Sequence, residues 1–188
     1  MTVGVRTITI RWSDWPVSAL GHPPERPVAV IVANRLIAVS PGAAEFGISV
    51  GERRRSALRA CPDLLIVDRD PALELAAFDT VLEVLSGYAP GVELVEPGHI
   101  RLPARGPSRL FGGEQALLDR LSIDLAGVRP TGWSTPGVGV ADGRALSALA
   151  TLVSIATGRP EVAPSGGSRS EEHTSELQSP CNLVCRLL

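Results

Sequence analysis

The sequence predicts an α/β fold in which helices pack against β-sheet. Short runs of β-branched and apolar residues, of which VAVIV at 28–32 is the clearest, are typical of buried strands. A capping residue directly before a proline, as in Ser40-Pro41 and Asp70-Pro71, is a signal for the start of a helix. Apolar residues at helical spacing follow the second signal and indicate a helix laid on a sheet.

The predicted strands are short and are joined by tight turns. Asn34-Arg35 supplies the turn of the first hairpin, because Asn tolerates a positive φ. Pro97-Gly98 supplies the turn of a second hairpin. The strands are predicted at 6–12, 28–32, 36–39, 64–67, 92–95, 100–102 and 137–141.

The predicted helices begin at recognisable caps. Asp14 is expected to cap a short helix near Pro16, and Ser40 one that stops at Gly47. Further helices are predicted at 52–60, 71–86, 114–125 and from Asp142 to about 156. In the helix at 71–86, the residues expected in the core are Leu75, Phe78, Val81, Leu82 and Leu85.

Composition argues against several classes of function. The chain has 188 residues and a net charge of −2, so it has no overall attraction to a polyanion. No apolar run approaches the roughly 20 residues that cross a membrane, and a cytoplasmic location is expected. Cys61 is expected to be a small buried residue, and Cys181 and Cys185 form neither a zinc spacing nor a disulfide framework.

The segment AAEFGISVGERRRSALRACP at 43–62 resembles the fingers of Y-family DNA polymerases, the translesion enzymes. Phe46 and Gly47 match a phenylalanine-glycine pair of that family. DWP at 14–16 and ARGPSRLFGGE at 104–114 are similar to its ImuB branch, whose members have lost the polymerase carboxylates. The resemblance implies a polymerase-type palm sheet with helices on one face and a small fingers insertion. It assigns 1–12 and 71–158 to the palm, and 13–70 to the fingers.

Composition changes after the last predicted helix. A Pro/Gly-rich linker is predicted at 159–168. The letters RSEEHTSELQS, from 169 onward, resemble the translation of a sequencing-adapter oligonucleotide, so 169–188 is expected to be a non-native tail. Site proposals built on Cys181 and Cys185 are discounted for that reason.

The resemblance also places the family's catalytic positions on this sequence. The first metal-binding aspartate falls in the run Arg11, Trp12 and Ser13, and the second aspartate with its neighbouring glutamate falls on Pro97 and Gly98. Two Mg²⁺ ions about 3.5–4 Å apart need carboxylate ligands, whereas proline and glycine offer only backbone carbonyls. No catalytic or metal site is therefore expected.

The positions that hold the incoming triphosphate in the family fall on Pro41 and Ala44. Neither side chain can bind a phosphate. The resemblance, with these losses, implies a protein that is not an enzyme and needs no cofactor. An alternative is a weak translesion polymerase that uses Asp14 and Glu96 with Mg²⁺. Glu93 and Glu96 are not expected to act together, because they should point to opposite faces of their strand. Another is a truncated fragment without independent function.

Five arginines are candidates for contact with DNA or a partner protein, the alternative being a solvated helix face. They are Arg53, Arg54, Arg55, Arg59 and Arg144. The resemblance implies a non-catalytic component of damage-induced mutagenesis. Its expected partners are an error-prone replicative-type polymerase, an accessory mutagenesis protein and the sliding clamp, contacted through segments absent here, with weak DNA contact by this chain.

Overall fold

Two β-sheets organise the chain in a computed structural model that describes residues 5–128 and 132–165. The larger sheet has five strands in the order β5-β6-β1-β7-β8, and the smaller has three in the order β3-β2-β4. The strands of the larger sheet are β1 (Arg6–Arg11), β5 (Glu93–Glu96), β6 (His99–Pro103), β7 (Gly137–Asp142) and β8 (Glu161–Val162). Those of the smaller are β2 (Val28–Val32), β3 (Arg35–Val39) and β4 (Leu65–Asp68).

Seven helices within the described residues connect these strands. None of them combines the length and the apolarity that crossing a bilayer requires. The short ones are α1 (Trp15–Ser18), α2 (Pro41–Ala44), α3 (Arg54–Ala60) and α5 (Arg105–Leu110). The long ones are α4 (Pro71–Ser86), α6 (Glu114–Ala126) and α7 (Arg144–Thr157).

One face of the larger sheet, here called the core face, forms the main hydrophobic core. Alternation along β1 directs Ile8 and Ile10 to this face, where α4 and α6 cover them. Trp12, Trp15 and Phe78 meet edge to face there, with ring centroids 4.8–5.8 Å apart. The two tryptophans are therefore packing residues, and Trp15 joins this core although the sequence assigned it to the fingers segment 13–70.

The opposite face of the larger sheet, here called the cavity face, carries α7. Thr9 Oγ1 lies 2.8 Å from Ser147 Oγ, and Thr151 Oγ1 donates to the Thr9 carbonyl at 3.2 Å. A Cβ at Gly139 would lie 2.3 Å from the Thr151 nitrogen, so only glycine lets α7 approach β7 this closely. The predicted α/β sheet is correct, but its helices lie on both faces rather than one.

The smaller sheet has its own core. The turn between β2 and β3 is formed by Ala33 and Asn34, both at positive φ, whereas Arg35 already belongs to β3. The predicted Asn34-Arg35 turn was therefore shifted by one residue. β4 pairs with β2 in parallel. The buried cluster beneath the sheet is Ala29, Leu36, Ala43, Ile48, Ala57, Cys61 and Leu64.

Two of the four predicted helix caps are confirmed. Asp142, predicted to cap the last helix, belongs to β7, and Gly143 occupies the cap position of α7. Ser40 Oγ accepts from the Ala43 nitrogen at 3.1 Å, and Asp70 Oδ1 accepts from the Ala72 nitrogen at 3.0 Å. Asp14 precedes α1 but makes no side-chain cap bond; its Oδ2 accepts from the Ser134 nitrogen at 3.0 Å. The predicted cap is wrong at Asp14 because this carboxylate is bound by a distant loop.

The structure also differs from the sequence predictions in several element boundaries and in which residues are buried. The predicted linker at 159–168 contributes β8, which pairs in parallel with β7. The basic helix begins at Arg54 rather than residue 52. On α4, Leu75 is 42% exposed and Glu74 is buried, so the buried stripe is offset by one residue there. The tail predicted at 169–188, with Cys181 and Cys185, lies outside the described residues.

Candidate functional site between the two sheets

A cavity of about 250 Å³ separates the end of β1 from the smaller sheet. Its floor is the cavity face of the larger sheet together with the turn between β5 and β6. Val32 and Ile37 close it from the smaller sheet. The polar side chains that line it are those of Arg11, Ser13, Arg69, Glu96 and His99.

Strand pairing brings two basic side chains together at this cavity. Arg11 on β1 is the cross-strand partner of His99 on β6, so both side chains project from the same face. The Trp12 nitrogen donates to the Gly98 carbonyl at 2.8 Å and fixes the hairpin turn against the end of β1. Because Thr9 pairs with Arg101 in the same register, Arg101 also lies on this face.

Two glutamates reach the same face because of a bulge in β5. Glu93 pairs with Arg101 and Glu96 with His99, and the register shifts between Leu94 and Glu96. The expectation that Glu93 and Glu96 point to opposite faces is therefore wrong.

Both glutamates are neutralised by arginines. Glu96 lies 3.5 Å from Arg69. Glu93 lies 2.9 Å from Arg144 and 3.6 Å from Arg101. The carboxylates at this face therefore already have cationic partners.

The electrostatic environment at the end of β1 is positive. Burial is the largest cause that lowers the pKa of the His99 imidazole, and the charges of Arg11 and Arg101 lower it further. Glu96 and Glu93 raise that pKa by smaller amounts. His99 is therefore mainly neutral at pH 7, beside arginines that would repel a metal cation.

The hairpin turn has no room for a side chain at Gly98. This residue has φ +83°, and a Cβ built on it would lie 2.5 Å from the Trp15 Cβ. A carboxylate at this position would require Trp15 or the turn to shift. Within residues 5–128 and 132–165, no three His, Cys, Asp or Glu side chains are grouped to hold a metal ion. The residues at this site do not fit Mg²⁺.

Residues 17–151 match the sequence pattern of the impB/mucB/samB family. The chain belongs to that family. ImuB of Caulobacter vibrioides is 31% identical over 91 residues, which are 48% of this chain and 19% of ImuB. DNA polymerase IV of Alkaliphilus oremlandii is 24% identical over 136 residues, 72% of this chain and 32% of that polymerase. The chain thus spans between about a fifth and a third of these relatives' length.

Solved structures show the same fold. DinB from Sulfolobus solfataricus superimposes with a TM-score of 0.61 at 16% identity, over 84% of this chain and 48% of DinB. The insertion ternary complex of Dbh DNA polymerase gives a TM-score of 0.65 at 16% identity, over 85% of this chain and 48% of Dbh. The larger sheet is therefore a polymerase-type palm and the smaller unit a fingers insertion. The resemblance to a Y-family polymerase-like protein of the ImuB type is confirmed.

The positions that the family resemblance assigned to catalysis lie together beside the cavity. Trp12 is 3% exposed, with its ring in the palm core. Trp12, Ser13, Pro97 and Gly98 are all among the residues that line the cavity. His99 was missed, because its meeting with Arg11 depends on pairing between distant strands. A prediction of the register of β6 against β1 could have placed His99 opposite Arg11.

The other predicted site residues lie away from the cavity. Pro41 and Ala44 belong to α2 and are not among the residues that line it. Asp14 does not line it either, so the carboxylates of the alternative metal pair, Asp14 and Glu96, are not brought together there. Arg144 is 69% exposed but is paired with Glu93.

The arginines of the fingers helix are the exposed cations among the predicted contacts. All four side chains are exposed, and no carboxylate within the described residues pairs with them. Their positions on and beside α3 leave them available for a phosphate or an acidic partner surface. They are Arg53, Arg54, Arg55 and Arg59.

Proposed function

We propose that this chain is a non-catalytic, polymerase-like component of DNA-damage tolerance, acting in the cytoplasm by contact with DNA and other proteins. The observation that carries the proposal is the set of side chains at the end of β1. Arg11 and His99 are paired there, and Glu96 is the one carboxylate among the described residues lining the cavity. A two-metal mechanism needs several carboxylates to hold both ions.

The relatives support the damage-tolerance part of the proposal. The family match covers 17–151, and the relatives include ImuB and a DNA polymerase IV. In this role the partners are an error-prone replicative-type polymerase, an accessory mutagenesis protein and the sliding clamp. DNA contact by the present chain is weak, because its net charge is −2 and its exposed fingers arginines form one small patch.

A domain-exchange experiment tests the loss of catalysis. Residues 5–165 replace the matching part of a DNA polymerase IV, and the hybrid is assayed for primer–template binding and primer extension with Mg²⁺ or Mn²⁺. We expect the hybrid to retain binding and to lose extension. The parental polymerase is the control. Extension at the parental rate would show that this palm supports catalysis, and the proposal would fail.

A cellular experiment separates the proposed role from a weak polymerase. The full-length gene is deleted in its host, and damage-induced mutation frequency is measured after complementation with the natural gene or with Glu96→Gln. A non-catalytic component requires the natural gene and tolerates Glu96→Gln, which keeps a hydrogen-bonding group beside Arg69. Loss of mutagenesis in that variant, with unchanged protein level, would instead indicate a metal ligand.

A further inference from the structure

The outer end of the fingers sheet brings two arginines directly opposite each other. Arg35 and Arg53 are antiparallel bridge partners. The backbone hydrogen bonds lie on either side of the pair: the residue after Arg35 donates to the residue before Arg53 at 2.9 Å, and the residue after Arg53 donates to the residue before Arg35 at 3.4 Å. In such a non-hydrogen-bonded pair the Cα atoms lie only about 4.5 Å apart, so the side chains are close. Like charges in directly opposite positions destabilise a strand pair.

No carboxylate within residues 5–128 and 132–165 compensates this pair. Both side chains are exposed, and neither takes part in an ion pair within those residues. The neighbouring Glu52 instead accepts from the Ser49 nitrogen at 2.7 Å and the Ser56 hydroxyl at 3.0 Å. Arg35 donates to the Gly51 carbonyl at 2.8 Å, which orients its guanidinium group but leaves the charge in place.

The start of α3 extends this positive charge. Arg53 is the cap residue of α3 but makes no side-chain capping bond within the described part of the chain, and the first turn contains no acidic residue. Arg54 and Arg55 stand in that turn, both exposed, where the partial positive charge of a helix N-terminus disfavours a cation. Residues that conflict with their local structure are expected at functional positions. The four arginines 35, 53, 54 and 55 are here called the fingers-tip patch.

The charge of the remaining chain favours a short acidic partner segment over a nucleic acid. The net charge is −2, so the chain without the four arginines of the fingers-tip patch carries −6. A polyanion that extends across the molecule would be repelled beyond the patch, whereas a short acidic segment contacts only the cations.

An aliphatic side chain beside the patch points to the same kind of partner. Val50, which precedes the Gly51 bound by Arg35, is 59% exposed. It offers an apolar contact to a protein side chain, whereas nucleic-acid bases stack on aromatic rings. Arginines next to apolar side chains are typical of protein interfaces.

We propose that the fingers-tip patch docks a short acidic segment of a partner protein. The parallel N–H donors of a guanidinium group match the two oxygens of a carboxylate, so carboxylates bound at Arg35 and Arg53 would replace their repulsion by charge-assisted hydrogen bonds. The proposal rests on the proposed function for the existence of a protein partner, and it adds the surface that the partner contacts and the chemistry that is recognised there.

The test titrates the whole chain with a fluorescein-labelled peptide of Glu-Glu-Leu repeats, followed by fluorescence anisotropy at low and at physiological salt. The same peptide with glutamine in place of glutamate should not bind, and salt should weaken binding of the acidic one. Arg35→Gln combined with Arg53→Gln should weaken binding by about tenfold, since each exposed charge contact contributes a few-fold. Arg105→Gln combined with Arg109→Gln removes two exposed arginines of α5 and is the matched control.

A stability measurement separates binding from a structural role. Arg53→Gln should leave the unfolding temperature of the free chain unchanged or raise it, because the substitution removes a repulsion. A lower unfolding temperature would mean that Arg53 serves the fold, and the proposal would be overturned.

The binding data can overturn the proposal in three further ways. The acidic peptide does not bind, or both double variants lose the same affinity, or a single-stranded oligonucleotide of equal charge binds more tightly than the peptide and so assigns the patch to nucleic acid. Primer extension plays no part in these readouts. Failure here therefore leaves the proposed loss of catalysis standing, and extension by the hybrid polymerase would leave the docking result standing.

Discussion

A side chain at position 98 would meet Trp15 before it reached the cavity. The backbone of Gly98 is left-handed, and its hypothetical Cβ lies 2.5 Å from the Trp15 Cβ. We expect Gly98→Ala to lower the free energy of unfolding by about 1–2 kcal/mol from backbone strain and about 1–3 kcal/mol from overpacking. Urea denaturation measures the change.

Gly91→Ala is the control for that substitution. Gly91 precedes the same hairpin, has no atom within 4 Å of a hypothetical Cβ, and does not have a positive φ. Its replacement should leave stability within about 0.5 kcal/mol of the natural chain, as for most surface substitutions. Equal stability of the Gly98 and Gly91 variants would mean that Trp15 does not restrict this turn, and a carboxylate could then be accommodated.

Local sequence signals predicted the turn beside the cavity, but not the contacts around it. Pro97-Gly98 is a turn signal that depends only on local conformation. That neither residue is a carboxylate can be read directly from the sequence. The pairing of Arg11 with His99 is not local. It depends on the register of β6 against β1, and the position of Glu96 depends on a bulge in β5 that no residue pattern marks.

At the scale of single elements, the cap of α4 is the clearest local determinant. Asp70 Oδ1 accepts hydrogen bonds from the Ala72 and Leu73 nitrogens at 3.0 and 3.1 Å, directly before Pro71. Asp70→Ala should lower the free energy of unfolding by about 0.5–2 kcal/mol, because two backbone donors lose their acceptor. Thermal unfolding followed by circular dichroism measures the effect.

Two companion variants separate capping from charge. Asp70→Asn should retain most of the stability, because asparagine caps about as well as aspartate. Asp79→Ala removes the same charge from an exposed position within α4 and should cost little. If Asp70→Asn is as unstable as Asp70→Ala, the charge of Asp70 matters rather than its cap.

Elements with local signals were predictable, and those defined by tertiary contact were not. Ser40-Pro41 and Asp70-Pro71 located two helices because cap and proline act within one turn. The face on which α7 packs depends on Gly139, whose role is visible only when Thr151 is beside it. β8 has two residues and forms because β7 offers a free edge for pairing. The Pro/Gly-rich composition of this segment predicted a linker instead of a strand.

At the scale of the whole molecule, Arg69 connects the fingers to the palm. It follows the last strand of the fingers sheet, binds Glu74 on α4 through two nitrogens at 2.9 Å, and lies 3.5 Å from Glu96 on β5. Glu74 is 2% exposed, so Arg69 is the countercharge of a buried carboxylate. The two sheets are thus held together partly by one guanidinium group beside the cavity.

Removing that guanidinium should destabilise the chain strongly. Arg69→Gln leaves Glu74 buried without its countercharge, for which we expect a loss of about 3–5 kcal/mol in the free energy of unfolding. Arg69→Gln combined with Glu74→Gln removes both charges and should recover a large part of that loss, because two neutral amides can bond to each other. Arg59→Gln, on the exposed face of α3, is the control for loss of an arginine. If the double variant is no more stable than Arg69→Gln alone, the buried charge of Glu74 is not what Arg69 compensates. Any contribution of Arg69 to the connection between the two sheets must then come from its contact with Glu96.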